Sequence, residues 1–262
     1  MLVELASRFG EEAAAKVLGG EVVDAHGAVV TAGTVLAPGA FVYLYRDPPV
    51  EVEVPFEMPI LYRDDDLVVV DKPHFLATMP RGRHVVQSAV VRLRRQLELP
   101  ELSPAHRLDR LTAGVLLFTT RRELRGPYQS MFAAGVVDKT YLAVAQSVPT
   151  VSLPAVLRSR IMKYRGRVQS VEEPGEPNAE TLIEDLGGLR FRLTPRTGRT
   201  HQLRVHMNSV GAPIVGDPFY PNLVDVAADD FSTPLQLLAH TLEFDDPLSG
   251  RRRCFVSTRT LA

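Results

Sequence analysis

Five consecutive residues, His106-Arg107-Leu108-Asp109-Arg110, bring together a histidine, two arginines and one carboxylate. The apolar run Val115-Leu116-Leu117-Phe118 follows almost at once and reads as a buried strand. A charge cluster beside such a strand lies at the lip of the core, where a polar cleft can open. A carboxylate in a dry pocket can serve as a nucleophile or as a base. The plainer reading is a surface salt bridge, which is worth little.

A second constellation runs Arg196-Thr197-Gly198-Arg199-Thr200-His201-Gln202-Leu203-Arg204-Val205-His206. The turn that opens it would aim backbone N–H groups and the positive end of a helix at an anion. Arg204, a turn into that helix, can grip a carboxylate bidentately. A capped basic helix is the plainer reading. Tyr141 sits in the apolar stretch Lys139–Ala145 and by default is a core aromatic with its hydroxyl paired. No phosphate-cradling glycine loop and no nucleotide fingerprint is present. His201 and His206, five residues apart, do not share a helix face as metal ligands would.

The elements that must hold these residues read as strands with a few helices between them. Expected strands are Leu67–Val70, Val115–Phe118, Lys139–Ala145, a hairpin of Glu180–Glu184 and Leu189–Leu193 around Gly187-Gly188, and Leu235–Phe244 with Arg253–Ser257. Helical periods cover 88–97, 123–134 and 201–210, each ended by Pro or Gly nearby. Without regular strand–helix alternation the fold class is α+β, with a mixed, mainly antiparallel sheet.

Upstream, residues 2–18 have a helical period ended by Gly19-Gly20, and short strands follow at 21–24, 29–30 and 41–45. The proline-rich stretch 47–59 reads as an extended linker or edge strand. The expected boundary is near residue 55, giving a small unit over 1–55 and a large one over 56–262. The small unit resembles the back half of an αL-type RNA-binding module. It lacks that module's basic first helix and is acidic, with eight carboxylates against Arg8, Lys16 and Arg46 up to Pro55.

The whole chain has 262 residues and a net charge of −1, so overall charge gives no support to a polyanion partner. Two local runs are basic without any acidic residue: five cations in 151–171 and five arginines in 190–206. They read as solvated faces or as walls for phosphates. One cysteine, Cys254, excludes an internal disulfide and a multi-cysteine metal site. A reducing cytoplasm is the natural setting. No apolar run approaches the roughly 18 residues of a membrane span.

Taken together, the motifs resemble the RluA-type pseudouridine synthases. His106-Arg107-Leu108-Asp109 with Thr112-x-Gly114 is similar to that family's catalytic motif, and Lys139-x-Tyr141-Leu142-Ala143 to its tyrosine strand. Gly198–His206 followed by Pro213-Ile214-x-Gly216-Asp217-Pro218-x-Tyr220 resembles its third motif, and Asp66–Pro73 its entry strand. The order is the family's across about residues 60–260. Three departures stand out: Ala113 for a usual serine or threonine, Asp71 for asparagine, and His74-Phe75 for a small residue and glycine.

The resemblance implies a central cleft in the sheet and isomerisation of uridine in RNA without cofactor or metal. Asp109 would either attack the anomeric carbon or abstract a sugar proton. Arg204 would pair with Asp109, Tyr141 would stack on the flipped base and assist loss of the carbon 5 proton, and Arg107 would fill the space the base leaves. His106, Arg199, His201, Gln202 and Arg165 are further candidates for contact with RNA. Large-subunit ribosomal RNA is the first expected partner and transfer RNA the second, with the protein a cytoplasmic monomer. A catalytically silent RNA-binding module on the same fold is the rival reading. A glycoside hydrolase would need a second carboxyl group across the bond, where these motifs supply arginines.

Overall fold

The computed structural model describes residues 7, 10–44, 51–82 and 84–262. The start of the first expected helix, Tyr45 and the beginning of the proline-rich stretch lie outside the described residues. The chain divides into two compact units, 1–50 and 51–262.

In the small unit, α1 (Glu11–Leu18) precedes an antiparallel pair, β1 (Val22–Asp24) and β2 (Val42–Leu44). Val17, Val22 and Val30 form its buried core, with Val42 and Leu44 against them.

The division falls ahead of Glu51, earlier than composition suggests, because the proline-rich stretch is fastened to the large unit. Both carboxylate oxygens of Glu51 accept backbone N–H groups of Val85, Val86 and Gln87 at 2.6–2.8 Å. These bonds hold its carboxyl below the usual range, against the opposing effect of burial. Arg92 Nη2 donates to the carbonyl of Val54 at 2.7 Å.

The large unit is an eleven-stranded sheet in the order β3-β4-β6-β12-β7-β11-β10-β8-β9, with β13 beside β12 and β5 beside β6. Its strands are β3 (Ile60–Arg63), β4 (Leu67–Lys72), β5 (Ser103–Pro104), β6 (Ala113–Thr119), β7 (Asp138–Val144), β8 (Ala155–Met162), β9 (Val171–Glu173), β10 (Ala179–Gly187), β11 (Arg190–Pro195), β12 (Leu237–Asp245) and β13 (Arg252–Val256). The helices are α2 (Ala89–Leu97), α3 (Arg122–Ala133) and α4 (Gln202–Ser209). Neighbouring strands run antiparallel except β6 and β12, whose parallel contact pairs Leu238 with Ala113 and Ala239 with Gly114. The mixed, mainly antiparallel α+β class expected from the sequence is the one observed.

β4 and β6 are buried along their full lengths, which explains why they read as continuous apolar runs rather than alternating ones. One face of their strands packs with α2 through Val68, Val70, Leu93, Leu116 and Phe118. The other packs with α3 through Leu67, Val69, Leu117, Leu124 and Tyr128. Gly114 makes the β6–β12 junction possible. Its φ is 114°, and a Cβ there would lie 2.1 Å from the carbonyl oxygen of Ala239. β12 thereby sits between β6, which follows the Asp109 loop, and β7, which carries Tyr141.

Candidate active site

The Asp109 loop hangs from one segment, 72–78, at the end of β4. The Nζ of Lys72 is fully buried and donates to the carbonyls of Pro73, Leu76 and Arg110 at 3.0, 2.8 and 3.3 Å. Burial pushes this lysine down to about 7, while Asp109 pulls in the opposite direction. His74 Nδ1 meets the carbonyl of Leu111 at 2.7 Å, so that nitrogen carries the proton. Thr78 Oγ1 donates to the carbonyl of Leu108 and accepts its N–H, at 2.7 and 3.1 Å. The backbone on both sides of Asp109 is therefore fixed, while its side chain stays about 30% exposed in a cleft.

Two of the three departures, Phe75 and Asp71, have local explanations. Phe75 adopts the left-handed conformation, φ 66°, at the place where glycine is usual. Burial of its ring against Phe56 and Phe231 offsets the strain, with centroids at 6.1 and 5.4 Å. Asp71 is buried and accepts hydrogen bonds from Ser257 Oγ, Thr258 N and Thr258 Oγ1, tying down the C-terminal segment.

Arg204 projects from α4 with about 1% exposure. Its principal partner is Asp217, gripped bidentately through Nε–Oδ2 at 2.8 Å and Nη2–Oδ1 at 2.6 Å. Its remaining Nη1 stands 3.5 Å from Asp109 Oδ2. The expected pairing with Asp109 is joined by a second partner that the sequence did not indicate: the arginine is locked by Asp217 and turns its remaining edge to Asp109. Asp217 Oδ1 also accepts the N–H groups of Phe219 and Tyr220 at 2.8 and 3.3 Å, which sets both rings against the guanidinium. The centroid distances are 4.7 and 5.4 Å, in cation–π range. Gly216 permits the turn into this clamp, because a Cβ there would lie 2.4 Å from the carbonyl oxygen of Pro234.

Tyr141 pairs across β7 with Ala239 and Leu193 and lines the same cleft. Burial, and then the nearby Asp109, raise the pKa of its phenol, so the hydroxyl stays protonated. His201 caps α4 in the left-handed conformation, φ 60°, and brings its Nε2 to 3.9 Å from Asp109 Oδ2. Burial lowers His201 to about 4; Arg204 and Lys163 add to that, and Asp109 and Asp217 oppose it.

Asp109, Tyr141, Arg204, His201, Arg107, His106, Arg199 and Gln202 all line one cleft of about 550 Å³. Arg165 does not; it lies on an exposed turn after β8. Two of the lining residues are spent on structure. Gln202 accepts from Thr197 Oγ1 and Arg199 N and donates to Glu180 O and Thr181 Oγ1, which fixes the 195–200 turn and leaves RNA little to bind. His106 stacks on Phe132 at 4.4 Å and accepts the N–H of Leu117. Burial lowers it to about 3, so it is neutral and cannot pair with phosphate as a cation. Arg107 and Arg199 remain at the rim, both exposed, with Lys139 beside them.

The basic runs look different once folded. β10 lies between β8 and β11, and its acids neutralise arginines on both sides. Glu180 pairs with Arg158 at 2.7 Å and Arg196 at 3.2 Å, and Glu184 with Arg192 at 3.7 Å. Among the described residues no group of three or more His, Cys, Asp or Glu side chains is placed to hold a metal ion. No helix among them is long and apolar enough to cross a membrane.

Sequence reasoning missed Asp217, Tyr220 and Lys72 as parts of the site. Their signals were present as the Gly-Asp-Pro-x-Tyr cluster and as a lysine ending a strand that opens with four apolar residues.

Residues 66–209, more than half of the chain, match the family described as RNA pseudouridylate synthase. The chain is 34% identical over 180 residues to human pseudouridylate synthase RPUSD2, covering 67% of this chain and 32% of that protein. It therefore spans about a third of that relative. Against the dual-specificity RNA pseudouridine synthase RluA of Yersinia pestis the identity is 33% over 203 residues, covering 74% of this chain and 95% of the other. The solved structure of human RNA pseudouridylate synthase domain containing 4 superposes with a TM-score of 0.60 at 25% identity, over 78% of this chain and 88% of that one.

Proposed function

The chain belongs to the RNA pseudouridylate synthase family, RluA type, and we propose that it isomerises particular uridines of structured RNA, with Asp109 as the catalytic carboxylate and no cofactor. The observation that carries this reading is the placement of Asp109 in an open cleft beside an arginine that cannot move away. A base inside a helix is out of reach of such a carboxylate, so the target nucleotide must be flipped into the cleft. Arg107, exposed at the rim, is suited to occupy the vacated space.

In the reaction the bond from ribose carbon 1 to uracil N1 breaks, the base turns, and carbon 1 bonds to carbon 5. Carbon 5 then loses its proton and N1 gains one, so no redox partner is needed. Asp109 acts at the sugar, as a nucleophile or as a base. Arg204 holds a fixed positive charge beside it, a preorganised arrangement that needs no rearrangement at the moment of reaction. Tyr141 supplies a ring for the uracil to stack on. Its protonated phenol is unsuited to take the carbon 5 proton, which departs from the role the resemblance implied.

For the substrate, large-subunit ribosomal RNA is our first choice and transfer RNA our second. The Yersinia pestis relative is named for dual specificity, which fits a cleft that reads a local RNA shape rather than one long sequence. A silent RNA-binding module would have no use for a buried arginine clamp around a solvent-reachable aspartate. Pseudouridine mapping of RNA from cells with the gene, without it, and with Asp109→Asn restored tests the proposal. Sites that vanish on deletion and fail to return with Asp109→Asn are expected; their return would sink it.

A further inference from the structure

The cleft brings an imidazole nitrogen face to face with a carboxylate oxygen. Asp109 Oδ2 and His201 Nε2 lie 3.9 Å apart. Which ring nitrogen of His201 carries the proton follows from Tyr220. The Tyr220 hydroxyl touches three groups: Ser170 N at 2.7 Å, Ser170 O at 2.9 Å and His201 Nδ1 at 3.0 Å. A phenol has one proton to give. The Ser170 carbonyl can only accept, so it takes that proton. The Ser170 N–H can only donate, so it fills one lone pair of the phenol oxygen. The other lone pair is left for His201, and Nδ1 must be the donor. Neutral imidazole with a proton on Nδ1 has a bare lone pair on Nε2.

The neutral state itself has a physical cause. Burial, Arg204 and Lys163 hold His201 down to about 4, and burial raises Tyr220 to about 12. The ring is also clamped in place. Tyr220 meets it edge-on at 5.8 Å and Phe219 lies at 5.5 Å. His201 stands at the N-cap of α4 in the left-handed conformation, with its Nε2 3.9 Å from Asp109 Oδ2.

A fixed lone pair beside the catalytic carboxylate needs a donor from the substrate. In an RNA chain the 3′ and 5′ oxygens of the ribose are esterified and the 4′ oxygen is in the ring. The sugar has one O–H left, on the carbon next to the one at which the glycosidic bond breaks. We infer that His201 Nε2 accepts the 2′-hydroxyl of the target nucleotide, and so reads ribose against deoxyribose at the reacting residue itself. The inference rests on the isomerase reading and deepens it. It also separates two kinds of recognition: phosphates and shape select the RNA, while His201 checks the sugar within reach of Asp109.

Two measurements test it. The first needs no substrate: nitrogen-15 NMR of the imidazoles in the wild-type protein at neutral pH, with His201 assigned through a His201→Gln variant. A protonated-type Nδ1 and a bare Nε2 are expected. A proton on Nε2 overturns the inference whatever the enzyme does. The second uses a synthetic oligoribonucleotide carrying a uridine mapped as a target in cellular RNA. Three versions are compared at that position: uridine, 2′-deoxyuridine and 3-methyluridine. In wild type, loss of the 2′-hydroxyl should slow single-turnover conversion, about three- to tenfold from the hydrogen bond alone. In His201→Leu that share of the penalty should vanish, and His201→Gln, which keeps an acceptor near the Nε2 position, should restore part of it. The intrinsic effect of the hydroxyl on sugar reactivity cancels in this comparison.

An undiminished 2′-deoxy penalty in a folded His201→Leu protein overturns the inference and leaves the isomerase reading intact. So does a penalty coupled to 3-methyluridine instead, which would place uracil N3–H on the histidine. No pseudouridine from wild type with the unmodified oligonucleotide would remove both.

Discussion

Asp217 holds Arg204 by both carboxylate oxygens, at 2.8 and 2.6 Å, while Arg204 reaches Asp109 at 3.5 Å. Asp109 is thus positioned through a residue that is itself positioned. The geometry needs a fork, since one edge of the guanidinium must meet Asp217 and another must face Asp109. Asp217→Ala leaves a buried guanidinium without its main partner, a change that typically costs about 3–5 kcal/mol. A displacement of about 1 Å at the site is worth on the order of 100-fold in rate. We expect Asp217→Ala to lose both stability, in urea unfolding, and turnover. Arg204→Lys should lose turnover even where it folds, because an ammonium cannot serve both carboxylates. Unchanged unfolding of Asp217→Ala would show the clamp to be idle.

Asp109→Asn keeps shape and volume and makes no demand on the loop, whose hydrogen bonds to Lys72, His74 and Thr78 use backbone groups on either side. The variant should fold and bind RNA like wild type but form no pseudouridine. Filter binding and mass spectrometry of digested RNA check both halves. Normal turnover would remove Asp109 from the chemistry.

Tyr141 separates ring from hydroxyl. Burial, and then Asp109, raise the pKa of its phenol, which favours the protonated form. Tyr141→Ala, which removes the stacking surface, should lose far more activity than Tyr141→Phe; base–aromatic stacking is worth about 1–3 kcal/mol. The alkaline side of the pH–rate profile should be the same for wild type and Tyr141→Phe. Loss of an alkaline limb in Tyr141→Phe would return the hydroxyl to the proton transfers.

Much of this site is readable along the chain, and the unreadable part has a consistent cause. Asp109, Tyr141 and Arg204 announce themselves because each sits in a motif of local spacing next to an apolar strand or helix. The helix and strand periods of α2, α3, β4 and β6 are likewise local properties. Cross-strand neighbours are not. The arginines of 151–171 and 190–206 appear as an unopposed basic surface in sequence, yet Glu180 and Glu184 stand between them on β10. Gln202 and His106 look like ligands until their partners, Glu180 O and Leu117 N, come into view from distant segments. Arg165 carries the right charge but lies on an exposed turn outside the cleft. The partner of Arg204 was only 13 residues away, masked by a loop whose path nothing local specifies.

The division at residue 50 gives a sharper truncation than the proline content would. Glu51 accepts three N–H groups from the 85–87 turn, and Arg92 holds Val54. A protein beginning at Glu51 should fold and convert a minimal RNA. One beginning at residue 56 should be measurably less stable, because charge-assisted hydrogen bonds are each worth about 1.5–3 kcal/mol. Equal melting temperatures for the two would place the boundary later than the structure does.

Acid should weaken the fold before its carboxylates titrate. His74, His201 and His206 are lowered to about 4 and His106 to about 3, in each case chiefly by burial. The folded state keeps these rings neutral, whereas the unfolded chain begins to protonate them near 6.5. Between those limits the unfolded state binds more protons, so stability rises with pH and falls as the solution is acidified. Each histidine can contribute a slope of up to about 1.4 kcal/mol per pH unit within its window. Carboxylates held low by hydrogen bonds, such as Glu51, Asp64 and Asp246, act in the same direction only at more acid pH. The urea midpoint should therefore drop between about pH 6.5 and about pH 4.5, ahead of carboxylate protonation. His206 bonds Ser159 Oγ and Thr181 Oγ1 inside the β10–α4 packing, away from Asp109, and isolates the effect. In His206→Gln the drop should be shallower by that ring's share. A midpoint that stays flat over this range would mean that the buried imidazoles accept protons in the folded state as readily as in the unfolded one.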